Sequence, residues 1–254
     1  MNEVNVDSSS LYCIIEKQLF YFGILSDNEL VKSDRIIVND SFTLFDSPEV
    51  IVQFLKRTLH NFNIKQAYFS LACPDYAIIP KGINDRDVSH WLNKEVDDAY
   101  QIIINDFNHT QIAFPVPTIL FSELANLFEK FDFHHIIEAN LQNGLPSNGI
   151  LSYRINGFQL VAMVEKGQLT YQNLNASTSE LSSLYYSLLP YYMLSRDMKK
   201  TPLYTVKASQ EMHNHLENHV ANVEILSHGL DVVSKTELNQ AQLYQIQQLQ
   251  KCVS

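Results

Sequence analysis

The hydrophobic pattern opens with three short runs of β-branched and aromatic residues, Leu11–Glu16, Leu19–Ile24 and Leu30–Val38, with turn-length gaps at Lys17-Gln18 and Asp27-Asn28. That spacing predicts a three-stranded antiparallel meander. The period then changes. Ser47 reads as a helix cap and Pro48 as the first helical residue, the position where a missing N–H costs nothing. Val50 stands where a capping box would place Glu or Gln. Val50, Ile51, Phe54, Leu55 and Leu59 share one face, which predicts a helix to about Asn61. Gln66–Ala72 follows as a strand. Beyond it come a short apolar run, Tyr76–Ile79, an amphipathic helix over Asp85–Val96 carrying Trp91, and a hairpin of Tyr100–Phe107 with Gln111–Pro115 around Asn108-His109. Pro117–Phe131 reads as a helix and His135–Leu141 as a strand. Asn143–Asn148 (NGLPSN) is the best turn-rich boundary.

The second half repeats the opening theme. Ile150–Ile155 and Phe158–Val164 flank Asn156-Gly157, a strong hairpin signal. Lys166-Gly167 makes the next turn, and Gln168–Leu174 is the third strand. Ser177 or Ser179 caps a helix running to about Met198, with a kink expected at Pro190. Then follow a strand (Leu203–Val206), a helix (Ser209–Val220), a strand (Asn222–Ser227) and a helix (Glu237–Lys251) with Leu238, Leu243, Ile246 and Leu249 on one side. The order is three strands, helix, strand, helix, strand, helix. The first half has the same order with an insertion after its fourth strand. Two similar α/β halves are therefore expected, residues 1–145 with an insertion at about 74–116, and residues 146–254.

Composition narrows the functional classes. The formal net charge is −10, and the only basic cluster is Arg196 with Lys199 and Lys200. Phosphate backbones and anionic membranes need a basic stripe, so no nucleic-acid partner is expected. Cys13, Cys73 and Cys252 have no CxxC spacing, which excludes a zinc ribbon or redox pair. Cys13 and Cys73 lie in apolar runs and read as buried small hydrophobes. The leader MNEVNVDSSS lacks a basic and an apolar region, and no apolar run reaches about 18 residues. A chain with no transmembrane segment and a cytoplasmic location are expected.

The element order, and the succession FSLACPDYAIIP, NDRDVSHWLNKEV, IAFPVP and ILFSELANLFEKF, resemble the actin-like ATPase superfamily. Within it the chain is similar to a Bacteroidetes family of unknown function, and more distantly to pilus-assembly and cell-division members with a small subdomain inserted in the first half. The resemblance implies a fold of two ribonuclease-H-like halves. It also implies where ATP and magnesium would bind: glycines and an Asp at the first hairpin of each half, and a Gly-Gly element late in the second. The first hairpin here reads IIEKQLF, with Glu16 and no glycine. The second reads YRINGFQL, with Gly157 but Asn156 in the acidic place. SHGLD offers only Gly229. Phosphate chemistry needs bare backbone amides and a carboxylate to organise magnesium. ATP hydrolysis is not expected and no cofactor is assigned. The expectation is a non-catalytic interaction or scaffold protein with a protein partner. The alternative is a divergent nucleotide-binding switch using Glu16, Asn156, Gly157 and Gly229.

Other constellations carry less. His215 and His219 are four apart on one helix face near His213, with no HExxH motif, and a solvated polar face is the expected role. His134 and His135 alternate if in a strand. Asp85, Asp87, Glu95, Asp97 and Asp98 around Trp91 read as a charged helix face. Tyr185, Tyr186, Tyr191 and Tyr192 read as core packing with hydroxyls at the rim, whereas an exposed set would mark an interface.

Overall fold

The computed structural model describes residues 9–26, 28–39, 43–82, 85–92, 98–142, 145–155, 157–177, 179–194, 196–206, 210–233 and 235–254. Strands β1 (Ser10–Ile15), β2 (Leu19–Ser26) and β3 (Glu29–Ile37) form the expected antiparallel meander. α1 (Glu49–Thr58) leads to β4 (Gln66–Leu71), which pairs in parallel with β1. Every residue of β1 but the first is buried, and every residue of β2 but the last. Both faces of these two strands must therefore be covered, and adjacent residues of β2 show by what. Phe20 and Phe22 meet Phe54 of α1, with ring centroids 5.9 and 6.0 Å apart. Neighbouring Gly23 points to the opposite face. There a Cβ would lie 3.1 Å from Ile246, a residue of the chain's last helix.

The inserted segment makes its own three-stranded sheet from β5 (Ala77–Pro80), β6 (Tyr100–Phe107) and β7 (Thr110–Pro117), in the order β5-β7-β6. α2 (Asp85–Leu92) packs Val88 and Leu92 against Ala77, Ile79 and Ala113. Asn108 turns the β6–β7 hairpin at φ 52°. α3 (Thr118–Leu127) then returns to the α1 side of the first sheet, where Phe121 meets Phe131 at 5.2 Å.

The segment after α3 differs from expectation. Residues Phe131–His135 form β8, parallel to β4, and Ile136–Leu141 form helix α4 rather than a strand. The helix begins because His135 caps it: its ring accepts from Ile137 N, and the Glu138 side chain accepts from His135 N. Ser47 also differs, since α1 starts after Pro48 with no side-chain cap.

The second half builds a five-stranded sheet. β9 (Asn148–Ile155), β10 (Phe158–Glu165) and β11 (Gln168–Ala176) form its meander, and β12 (Leu203–Val206) and β13 (Val223–Leu226) extend it in parallel, giving the order β11-β10-β9-β12-β13. α5 (Glu180–Met193) is capped by Ser179 and ends five residues short of the expected Met198. Ser187 of α5 accepts from Ser152 at 2.9 Å, seating the helix on β9. α6 (Gln210–His219) places Met212 and Leu216 in the same core as Leu188 and Tyr191.

The chain then crosses over. β14 (Asp231–Val232) leaves the second sheet and pairs in parallel with β3, completing a six-stranded sheet in the order β14-β3-β2-β1-β4-β8. Thr236 bonds Ser33 at 2.7 Å along the same edge. α7 (Gln240–Val253) follows, capped by Asn239. It lies on the face of the first sheet that α1 leaves open, with Leu243, Ile246 and Leu249 buried. Each such side chain contributes about 1.5–3 kcal/mol when buried. The sum is comparable with the net stability of a whole domain, roughly 5–15 kcal/mol.

Gly23 sets how closely α7 approaches, since a Cβ there would meet Leu30 at 2.8 Å and Ile246 at 3.1 Å. Gly23→Ala is expected to lower stability by about 1–3 kcal/mol through overpacking. Chemical denaturation measures this as a lowered midpoint.

Candidate functional site

The β1–β2 turn is the first place where the resemblance to actin-like ATPases would put phosphate. Glu16 N donates to Leu19 O at 2.9 Å, closing a two-residue turn at Lys17-Gln18. The turn is stitched to the segment after β3, with Val38 N donating to Gln18 O and Leu44 N to Lys17 O, each at 2.9 Å. Glu16 is only 2% exposed. The Tyr21 hydroxyl donates to its carboxylate, and burial followed by this negative neighbour pushes the tyrosine well above its ordinary range. Glu16 is thus held as a buried partner of Tyr21.

The second turn carries Gly157 at φ +79°, with nothing within 4 Å of a would-be Cβ. The left-handed backbone alone accounts for the glycine. Its carbonyl accepts from Ser177 N at 2.8 Å. Asn156 lies outside the described residues. Gly229 sits elsewhere. Its carbonyl accepts from Asn28 at the far end of β2, and its N–H donates to Gln247 at 3.1 Å. Glu16 and Gly229 are therefore separated by the length of β2, an eight-residue strand spanning roughly 25 Å. Glu16 and Gly229 are therefore not brought together.

What does converge is a buried polar cluster where the two halves meet, centred on α4. His135 is fully buried; Nδ1 accepts from Ile137 N, so Nε2 carries the proton and donates to Cys73 O at 2.9 Å. Its ring lies 4.7 Å from that of Tyr76 and 5.5 Å from that of Phe114. Tyr153, from β9 of the other half, donates to Asn140 at 2.7 Å and meets Tyr244 of α7. Glu138 is 4% exposed and joins three elements. Its Oε2 accepts from Asn105 of β6 at 2.8 Å and from His135 N at 3.3 Å. Its Oε1 accepts from His134 of β8 at 2.7 Å and faces Cys252 of α7 at 4.0 Å. Among the described residues, His134, Glu138 and Cys252 are the only three groups of metal-ligating type found together. Burial and the Glu138 carboxylate push the Cys252 thiol up to about 12, so it is not a free thiolate nucleophile at neutral pH.

The surface histidines behave differently. His213 pairs with Glu217 at 3.2 Å, and His215 and His219 are exposed. Cys13 and Cys73 are buried, in keeping with their apolar surroundings. Glu95 and Asp97 lie outside the described residues. The tyrosines of α5 divide: Tyr191 is in the core and donates to Thr201 O at 3.0 Å, whereas Tyr185 and Tyr192 are 60% and 67% exposed. No helix among the described residues is long and apolar enough to cross a membrane.

Two sheets of this topology, each with a three-stranded meander followed by parallel strands, define an actin-like ATPase fold, and solved structures agree. A Bacteroides thetaiotaomicron protein with an actin-like ATPase fold and unknown function superposes with a TM-score of 0.68, at 16% identity over 89% of this chain and 93% of that one. The type IV pilus PilM–PilN complex gives 0.60 at 9% identity, covering 96% and 98%. The cytoplasmic domain of EpsL, an inner-membrane component of the type II secretion system of Vibrio cholerae, gives 0.52 at 11%, covering 97% and 94%. No family model matches the chain, and no curated protein does.

His135 gives this cluster a pH signature. Burial lowers its ring from 6.5 to about 4, so the folded state keeps it neutral while the unfolded state takes up a proton. Its contribution is complete above about pH 6.5 and is lost as pH falls toward 4. The loss should reach about 3 kcal/mol for a group this buried. His135→Asn keeps a capping acceptor, so a urea-melt series from pH 7 to 4 should be flatter for this variant than for the wild type.

Proposed function

We propose that this chain is a non-catalytic interaction protein of the cytoplasm, in which an actin-like frame is kept for its geometry and surfaces. The observation that carries the reading is the β1–β2 turn. Its one acidic residue, Glu16, is buried against Tyr21, and its residues are tied to Val38 and Leu44. Oriented amides and a solvent-facing carboxylate are what phosphate and magnesium require. The lack of a basic stripe in a chain of net charge −10 supports a protein partner over nucleic acid.

Surface features support the same reading. Leu181, Tyr185, Tyr192 and Met193 stand 60–77% exposed on α5. Exposed apolar groups of this size in one patch mark interaction surfaces, and tyrosine is enriched there. Of the solved structures of similar fold, one is a complex of PilM with PilN, which is the kind of use proposed here.

The reading is tested by titrating ATP with magnesium, up to millimolar concentration, while following melting temperature and phosphate release. No shift and no release are expected. A ligand at 100 times its dissociation constant adds about 2.7 kcal/mol. A shift of that size, abolished by Glu16→Gln, would contradict the proposal and establish a nucleotide-binding switch instead.

A further inference from the structure

The Glu138 cluster has a feature that neither helix capping nor packing requires. A capping box needs one carboxylate oxygen on the cap N–H, and Oε2 supplies it while also accepting from Asn105. That arrangement fixes the side chain and aims Oε1 away from the helix. Oε1 meets an imidazole nitrogen, His134 Nδ1, at 2.7 Å, and a sulfur, Cys252 Sγ, at 4.0 Å. The three ligand atoms lie within 4.8 Å of one another. Nitrogen, oxygen and sulfur ligands about 2.0–2.3 Å from one ion are expected to sit roughly 3–4 Å apart. The set closes to that geometry with small movements of Cys252, which lies in the last turn of α7.

The surroundings fit the same role. A cavity of about 500 Å³ adjoins the cluster, lined by His134, Asn105, Tyr68, Phe121 and Val253 among others. It opens the His134 side of the cluster to solvent. Asn105 and His135 N act as the outer partners that hold a ligating carboxylate in place.

We propose that His134, Glu138 and Cys252 form a binding site for one borderline divalent transition metal, zinc foremost. Mixed imidazole, carboxylate and thiolate ligands suit zinc, whereas magnesium and calcium prefer all-oxygen sets. On binding, the Cys252 thiol gives its proton to solvent and the thiolate bonds the ion. The His134 Nδ1 proton is displaced as well, moving to the ring's other nitrogen, Nε2. The ion would tie β8, α4 and α7 together, and so pin the end of the crossing helix to the first half.

The test uses the full chain, stripped with chelator and titrated with zinc against a competing indicator, and separately with cobalt(II). One zinc per chain is expected, with a thiolate-to-cobalt charge-transfer absorption in the near ultraviolet. Cys252→Ser should remove that absorption. It should also weaken zinc by more than about 100-fold, beyond the 10–100-fold typical of losing an outer partner. His134→Ala should weaken zinc likewise, and a His215→Asn, His219→Asn double variant should bind as the wild type does. The proposal is overturned if the wild type takes up no zinc at micromolar concentration, or if cobalt gives no thiolate band. Zinc lost with the α6 histidines rather than with Cys252 would overturn it too. The cobalt spectrum reads the wild-type protein directly, so the outcome does not depend on the variants folding.

Discussion

The architecture depends on one packing constraint: the last helix of the second half is the cover for the first half's sheet. β1 and β2 are buried on both faces, yet the first half supplies α1 and α3 to only one of them. α7 fills the other, approaching β2 over Gly23. The hydrophobic effect makes this exchange obligatory, because an uncovered face would expose a continuous apolar sheet surface. The crossing strand β14 and the Thr236–Ser33 bond deliver the helix to its place. The first half is therefore incomplete without the second.

That constraint bears on function. A fold that closes on a nucleotide needs phosphate-binding turns free to engage a ligand across the junction. Here the junction holds Tyr153 bonded to Asn140, His135 bonded to the Cys73 carbonyl, and Glu138 bonded to Asn105 and His134. Buried hydrogen bonds of this kind favour one arrangement, and breaking one costs the full desolvation of its partner. The same features that lock the halves place Glu138, His134 and Cys252 side by side. Geometry maintained for packing and geometry suited to a metal ion meet at one carboxylate.

Much of this frame was legible in the chain. The two meanders and the Lys166-Gly167 turn were marked by period-two runs and turn residues, which act locally. The misreading of His135–Leu141 has a local cause too. FDFHHII is aromatic and β-branched, and its helix start is capped by a histidine rather than by the usual Ser, Thr, Asp or Asn. The signal was the Glu three residues on. The metal-type cluster was not legible, because Cys252 is brought to Glu138 across 114 residues by α7 packing. The destination of Gly229 was hidden for the same reason: a two-residue strand that joins another half's sheet leaves no periodic pattern. Residues on one element can be read from spacing; residues joined by a crossover cannot.

Native-state hydrogen exchange across α7 tests the central claim most directly. If this helix completes the first half's core, amides of residues 243–249 should exchange only by global unfolding, with the same free energy and urea dependence as those of β1 and β2. Exchange of α7 at distinctly lower free energy while β1 and β2 stay protected would contradict it. The helix would then be a detachable flap over a core that stands alone.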